Sequence, residues 1–169
     1  MTNPREHFIT VAERFVGIEE EGQNRFTGNV GVWASTDYPD GWKNREPYCA
    51  AFMCHVVHVA GLERAELNLG ERRPRSASVR GWKSWALRPK NGVQILTKDP
   101  LPGDVVSFLP KLSHIGLVTR YDAAKGIVHT IEANTDAEGS REGDGIYRKT
   151  RKLSLCGEFY RLPVKASAV

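Results

Sequence analysis

Cys49 is the residue of this chain best suited to covalent chemistry. It lies near the start of an apolar run, EPYCAAFMCHVVHVAG, that predicts a helix from about Pro47 to Ala60, closed by Gly61. A cysteine reacts as its thiolate, and the unpaired N–H groups and the dipole of a helix N-terminus favour that anion. With Pro47 in the first turn, we expect Cys49 about two residues inside the helix, and we predict that it is a nucleophile.

A nucleophilic thiol needs a base, and the base needs a group that orients it. His114 opens an apolar strand, and residues 114–121 and 126–133 have the pattern of a hairpin. In that hairpin His114 and Glu132 are approximate cross-strand neighbours, and Asn134 projects from the same face as Glu132. Either Glu132 or Asn134 could accept a hydrogen bond from the imidazole. We favour Glu132, which leaves the amide to anchor the loop or to polarise a substrate carbonyl.

Helical patterns occupy the first half of the chain. Residues 3–6, Asn-Pro-Arg-Glu, supply a cap, a first-turn proline and an acid, and apolar residues follow at helical spacing up to Val16. Residues 17–45 are rich in Gly, Asn, Asp and Trp without periodicity, which predicts a long irregular segment. Ser76–Leu87 is a weaker helix candidate.

The pattern after Asn91-Gly92 has a period of two, which is typical of strands. Helices followed by consecutive strands predict an α+β fold, with N-terminal helices packed on a C-terminal antiparallel sheet of about five to six strands. We expect a single domain over residues 1–163 and a loose C-terminal tail over 164–169. The predicted strands are Asp104–Leu109, His114–Tyr121, Gly126–Glu132, Ile146–Arg151 and Glu158–Leu162.

The charge of the chain favours anionic partners. The net charge is +4 and the isoelectric point is near 9.0, which suits nucleic acid, anionic lipid or the anionic polymers of a bacterial wall. Charge alone does not choose among them. The basic residues around 72–80 and 148–152 are interspersed with other types, so we interpret both groups as solvated surface.

The cysteines and the hydropathy of the chain limit the cellular environments that the sequence suits. The three cysteines, Cys49, Cys54 and Cys156, are odd in number and widely spaced, which predicts free thiols and a reducing origin. Cys54 is rotated roughly 140° from Cys49 around the helix, so we interpret it as core packing. No apolar run is long enough to span a bilayer, and the N-terminus MTNPREHF lacks the pattern of a signal peptide.

Five segments of the chain carry the motifs of one known family, in the expected order: Pro47–Phe52, Pro102–Val106, Ser113–Val118, Thr130–Thr135 and Gly143–Tyr147. Together they resemble the CHAP domains, which are papain-like cysteine, histidine-dependent amidohydrolases and peptidases. Two residues depart from that pattern, because Tyr48 stands where tryptophan is frequent and Ala133 stands where glycine is frequent. Neither departure removes a reacting group.

The resemblance implies a papain-like fold and hydrolysis of an amide bond in peptidoglycan through an acyl-enzyme. It makes Cys49 the nucleophile, His114 the base, Glu132 its orienter and Asn134 the supporting amide, with no cofactor. Either an amidase or an endopeptidase fits. We expect peptidoglycan as the partner, with no nucleic acid, no membrane insertion and a monomeric state. We expect synthesis in the cytoplasm without a signal peptide and action on the cell wall, as in a phage endolysin; an injected antibacterial effector is the alternative role.

Three other interpretations compete. His55 and His58 at helical spacing i, i+3 could share a metal with Cys54 or His129, although the i, i+4 pair with an intervening glutamate is missing. Acidic residues before the nucleophile could bind calcium, but their spacing does not match a twelve-residue calcium loop. A non-catalytic basic module for wall polymer or nucleic acid, with Cys49 inert, predicts steep salt dependence and no hydrolysis. The calcium candidates are Asp37, Asp40 and Glu46, and the aromatic residues that could face sugars or bases are Trp33, Tyr38, Trp42, Trp82 and Trp85, of which Trp42 is placed to border a groove.

Overall fold

A computed structural model of the protein describes residues 3–108, 113–135 and 144–165. These residues form four α-helices and a six-stranded antiparallel sheet, which confirms the predicted α+β class. Leu109, Gly143 and residues 166–169, which the sequence assigned to a strand, a hairpin and a tail, lie outside the described residues. The elements are α1 (Glu6–Glu13), α2 (Asn29–Ala34), α3 (Cys49–Glu63), α4 (Val79–Ala86), β1 (Gln94–Leu96), β2 (Val105–Phe108), β3 (Ile115–Asp122), β4 (Ile127–Thr135), β5 (Gly145–Lys152) and β6 (Cys156–Arg161).

The sheet has the strand order β1-β6-β2-β3-β4-β5. Each of the five predicted strands has a counterpart, and β3, β4 and β5 follow one another as hairpins because turn residues separate runs of period two. The short strand β1 was missed, since three residues are too few to show periodicity. It pairs with β6, with Ile95 opposite Tyr160.

The two faces of the sheet carry two separate apolar clusters, because side chains alternate along each strand. The larger cluster packs the sheet against the helices and includes Phe52 of α3 and Leu117 of β3, both fully buried. The smaller cluster lies on the opposite face and includes Phe108 and Val118. Neighbouring residues Leu117 and Val118 therefore belong to different clusters, and the side chain of Glu132 extends from the second face.

Helix α3 differs from its predicted bounds at both ends. It begins at Cys49, which is therefore the first residue of the helix and does not lie two residues inside it. It continues through Gly61 to Glu63, so the prediction that Gly61 closes the helix is wrong. A Cβ atom at Gly61 would lie 3.1 Å from the Asn68 Cα atom, so this glycine permits the close approach of the following chain.

The segment 17–45 is not wholly irregular, as the sequence suggested. It contains helix α2, which is only six residues long and follows Gly28, whose φ of 95° is left-handed. Six residues are too few to establish a helical period, so the prediction was wrong here. Helix α4 is confirmed but shorter than predicted, and the Ser78 hydroxyl caps it by accepting from the Gly81 N–H at 3.1 Å.

The first helix and the end of the described chain also differ in detail. Helix α1 covers Glu6–Glu13, which is shorter than the apolar spacing to Val16 suggested, and Arg5 occupies the N-cap position. Val164 packs against the core and the Lys165 N–H donates to the Glu66 carbonyl at 2.8 Å, so the predicted tail is in contact with the domain at its start. Within the described ranges, the helices are all too short or too polar to cross a membrane.

Candidate active site

Cys49 stands at the head of α3, with 7% of its surface exposed. The N–H groups in the first turn of a helix have no intrahelical acceptor, so they leave a partial positive charge at this end of α3. Cys49, Pro47 and Ser113 all line a surface groove of about 600 Å³. The thiol is thus sheltered but borders a space large enough for a peptide-sized ligand.

His114 lies beside this thiol and is oriented by a carboxylate. Its Nε2 atom is 2.8 Å from the Glu132 Oε2 atom, and its ring stacks on Phe108 with 5.6 Å between centroids. The Nδ1 atom is buried and has no partner with formed hydrogen-bond geometry among the described residues. The side chain of Cys49 is nonetheless close enough to act on the ring, so Nδ1 is the nitrogen available to the thiol once Nε2 is committed to Glu132.

The charge state of His114 follows from these neighbours. Burial alone would lower its pKa, but the interactions with the Cys49 side chain and with Glu132 outweigh burial and raise the pKa to about 9. The imidazole is therefore favoured as the imidazolium at neutral pH. That state holds a proton next to the groove, where a leaving group could take it.

Glu132 is fully buried, and its charge is compensated on several sides. It accepts a hydrogen bond from the Thr130 hydroxyl at 2.6 Å, and both Arg151 Nε and Nη2 donate to its two oxygens, Nε at 2.9 Å. Burial would raise the pKa of this carboxyl, but Arg151 and His114 lower it to about 2. Glu132 is therefore an anion that can hold the imidazole in one orientation.

Gly116 makes room for this carboxylate. It stands directly opposite Glu132 in the pairing of β3 with β4, and a Cβ atom there would lie 2.7 Å from Glu132 Cγ. His114 and Glu132 were predicted to be approximate cross-strand neighbours, and in the observed register they are offset by two positions. His114 precedes β3 and reaches the carboxylate diagonally, across a position that has no side chain.

Arg151 belongs to the candidate site through Glu132, a contact that was not predicted from the sequence. It was interpreted as part of a solvated basic group, but it forms the two-pronged contact with Glu132 and lies over the Phe108 ring at 5.3 Å. Arg151 pairs with Val128 in the register of β4 with β5, four residues away from Glu132 along the strand. The one signal in the sequence was the alternation that puts Arg151 on the same strand face as Tyr147. The structure adds that Tyr147 is the direct partner of Glu132.

Asn134 anchors the backbone directly before the nucleophile. Its Oδ1 atom accepts a hydrogen bond from the Tyr48 N–H at 2.9 Å, directly before Cys49. Asn134 has a left-handed φ of 57° at the irregularity between Ala133 and Thr135, which turns its amide towards α3. Of the two roles left open from the sequence, the structure thus supports the anchoring role.

The groove is bordered by aromatic and charged side chains. Trp33 and Tyr38 line it and pack edge to face, with 6.1 Å between ring centroids. Glu46 and Arg80 also line it, and within the described ranges neither forms an ion pair. Trp42, which was expected to border the groove, is not among its lining residues and packs against the core.

The other candidate residues of α3, a second thiol and a histidine considered for metal binding, have the environments of structural residues. Cys54 is fully buried, as predicted, and burial raises the pKa of its thiol to about 12. Burial, with a smaller contribution from His58, lowers the pKa of His55 to about 4, and the His55 Nδ1 atom pairs with the Ser35 hydroxyl at 3.0 Å. In the parts of the chain that the structure describes, no three His, Cys, Asp or Glu side chains converge as a metal site requires, so neither the zinc nor the calcium set is assembled.

The arrangement brings together a thiol at a helix start, an imidazole and a buried carboxylate, which is the set that nucleophilic amide hydrolysis requires. All three cysteines are free, so Cys49 is not withdrawn into a disulfide. Neither a scan of the chain against protein-family models nor a search of curated proteins finds a match. The functional argument therefore depends on the geometry of the site.

Proposed function

We propose that the protein is a cysteine-dependent peptidoglycan hydrolase of the papain-like CHAP type, an amidase or an endopeptidase. The observation that carries this proposal is the placement of His114 between the thiol at the head of α3 and the buried anion of Glu132. Helices packed on an antiparallel sheet, with the cysteine on a helix and the histidine on the sheet, agree with the resemblance to that family.

The proposed reaction has two steps. The Cys49 thiolate attacks the carbonyl carbon of the substrate amide, and the N–H groups at the start of α3 stabilise the developing oxyanion. The C–N bond then breaks while His114 donates its proton to the leaving amine, which leaves a thioester on Cys49. In the second step His114 removes a proton from water, the hydroxide attacks the thioester, and the C–S bond breaks, which releases the carboxylic acid and restores the Cys49 thiolate beside the protonated His114.

The groove suits a peptide that carries both charges. Glu46 can attract an ammonium group and Arg80 a carboxylate, and the stem peptides of peptidoglycan bear both. The aromatic surfaces of Trp33 and Tyr38 offer apolar area beside these charges. The net charge of +4 favours approach to an anionic wall.

The test is lysis of purified cell walls by variants of two cysteines in the same helix. Cys49→Ala should abolish the release of wall fragments without changing the circular dichroism spectrum. Cys54→Ala is the matched control, since it removes a thiol five residues away and should retain lysis. Lysis by Cys49→Ala would overturn the proposal and would favour a non-catalytic binding module. Mass spectrometry of the fragments identifies the bond, because an amidase releases free L-alanine N-termini and an endopeptidase cuts within the stem or cross-bridge.

For the biological role we propose a phage endolysin, made in the cytoplasm and acting on the wall, with an injected effector as the alternative. The test is expression inside a bacterial host, with and without a separate membrane-permeabilising protein. An endolysin of this kind lyses the culture only when the permeabilising protein is present. Lysis that instead requires contact between a producing cell and a target cell would favour the effector role.

A further inference from the structure

A second cavity, of about 460 Å³, adjoins the groove at Cys49. Ser76 lines both, so the two spaces are neighbours on the surface. The second cavity is predominantly basic, with five cationic side chains and two carboxylates, which gives a formal charge of +3. We call it the cationic pocket; its charged residues are Arg72, Arg73, Arg75, Arg88, Lys90, Asp37 and Glu71.

The positive charges of the cationic pocket are mostly uncompensated. Its single ion pair among the described residues joins Arg75 to Glu71 at 2.8 Å. Arg72 and Arg73 instead donate to backbone carbonyls, Arg72 to that of Lys90 at 3.0 Å and Arg73 to that of Ser35 at 2.5 Å. A carbonyl oxygen satisfies a donor but does not neutralise its charge, so the pocket keeps a positive potential.

Three of the four guanidinium groups, those of Arg72, Arg73 and Arg75, have hydrogen-bond partners before any ligand binds. Trp85 donates its indole N–H to the Arg72 carbonyl at 2.8 Å, which fixes the chain at the pocket wall. The Arg75 Nε atom is buried and has no hydrogen-bond partner within the described ranges. Arg73 is partly buried beside Arg75, and desolvation together with that second positive charge lowers the pKa of Arg73. Like charges that act on each other in this way favour an anion that can bridge them.

We propose that the cationic pocket binds an oxyanion, a phosphate or a carboxylate, on the same wall polymer whose amide lies at Cys49. The link to the wall polymer rests on the proposed function, whereas anion binding by the pocket does not. Arginine forks match the geometry of both oxyanions. A polymer extended from the groove past Ser76 reaches the pocket, so the pocket adds affinity at a distance from the reacting amide.

The pocket is tested first without hydrolysis. Inorganic pyrophosphate is titrated by calorimetry into the Cys49→Ala protein and into Cys49→Ala carrying Arg88→Gln and Lys90→Gln, both of which change exposed residues. Loss of two cations should weaken binding at least tenfold. The matched control carries Lys98→Gln and Lys125→Gln, which remove the same charge from positions outside the pocket and should leave the affinity within twofold. No binding, or equal weakening by both pairs, overturns the proposal.

The source of the oxyanion is tested with the active protein on two wall preparations. On native walls the Arg88→Gln/Lys90→Gln variant should have a KM raised several-fold with kcat unchanged, because the pocket does not contact the reacting atoms. If walls stripped of phosphodiester polymers abolish this difference, the oxyanion is a phosphate; if the difference persists there and disappears on walls with amidated carboxyls, it is a carboxylate. A KM unchanged on native walls refutes the link to the substrate, even where pyrophosphate binds. Absence of hydrolysis by the parent protein would instead refute the proposed function.

Discussion

The network around Glu132 and the cationic pocket both depend on arginine, but the charges are handled in opposite ways. In the network, Arg151 meets a fully buried carboxylate, and each charged group has a partner. In the pocket, the hydrogen bonds that Arg72 and Arg73 form among the described residues go to neutral carbonyl oxygens. A buried charge must be paired to be stable, whereas a charge at the surface can remain uncompensated because water screens it. The first arrangement fixes a geometry, and the second leaves an attraction for a ligand.

The largest effect is expected from Glu132→Gln. The amide keeps the shape of the side chain but leaves the imidazole without an anion to orient it, so kcat should fall by about 10²–10⁴-fold, as for loss of the orienting carboxylate in a triad. The measurement is steady-state hydrolysis of soluble wall fragments. Activity within a few-fold of the parent would mean that Glu132 serves the fold and not the reaction.

Arg151→Gln should have the largest effect on stability. Removing one partner of a buried pair costs about 3–5 kcal/mol, because it leaves the other charge uncompensated. The matched control is Arg148→Gln on the same strand, whose exposed pair with Glu13 contributes about 0–1 kcal/mol. Urea denaturation of both variants measures the free energy of unfolding. Equal losses in the two would contradict the distinction between buried and exposed pairs.

The pH dependence of activity and of stability should follow the protonation state of His114. Its pKa is raised to about 9, so the proton donor is present below that pH and is lost as the pH rises through it; kcat/KM should fall about tenfold per pH unit above 9. The same raised pKa contributes stability that is complete below the unfolded value near 6.5 and is lost by about pH 9.

Cys49→Ala removes one cause of the raised pKa of His114, so the midpoint of a His114 titration measured by nuclear magnetic resonance should move to lower pH. An unchanged midpoint would show that the thiol does not act on the ring.

The free energy of unfolding at low pH should depend on the charge of Glu132. Its pKa is lowered to about 2, so the carboxylate contributes stability that is present above the unfolded value near 4.5 and is lost as the pH falls towards 2. The free energy of unfolding of the parent should therefore decline over that window, and Glu132→Gln should show a smaller decline. Parallel pH profiles for the two proteins would assign acid unfolding to other carboxylates.

The smallest effect is expected from Arg88→Gln with Lys90→Gln. Both residues are exposed and have no carboxylate partner among the described residues, so stability should change by no more than about 0.5 kcal/mol. Any change should be a gain at low salt, since the variant reduces repulsion, and should shrink as salt is added. A loss above about 1 kcal/mol would mean that the cationic pocket supports the fold.

Local features of the sequence were enough to place the reactive set approximately. The proline and apolar run located the head of α3, and the hairpin brought His114 near Glu132 because strand spacing is regular. The exact register was not predicted, since it depends on where the turn is centred, with Asp122 opposite Ile127, and on an irregularity between Val118 and Arg120 that has no sequence signal of its own. From the sequence, Gly116 was therefore only one residue of the Ser113–Val118 motif, and its place opposite Glu132 was not predicted.

Features that depend on distant segments could not be predicted. Arg151 reaches Glu132 through the length of its side chain, which pattern reasoning does not capture. The cationic pocket forms where residues near 37, 71–76 and 81–91 come together, and no local sequence pattern predicts that these segments are in contact. Elements as short as α2 and β1 also lack enough residues to define a period.

The hydrogen bond from the Tyr48 N–H to Asn134 couples the start of α3 to the end of β4. The thiol, through the backbone at Tyr48, and the imidazole, through Glu132, are thus both tied to β4. The preceding connection at 17–45 packs its helix α2 on α3, but its residues 37–40 are exposed and Tyr38 among them lines the groove. Substrate preference in this scaffold can therefore be redesigned at these exposed positions while the reacting atoms keep their separation.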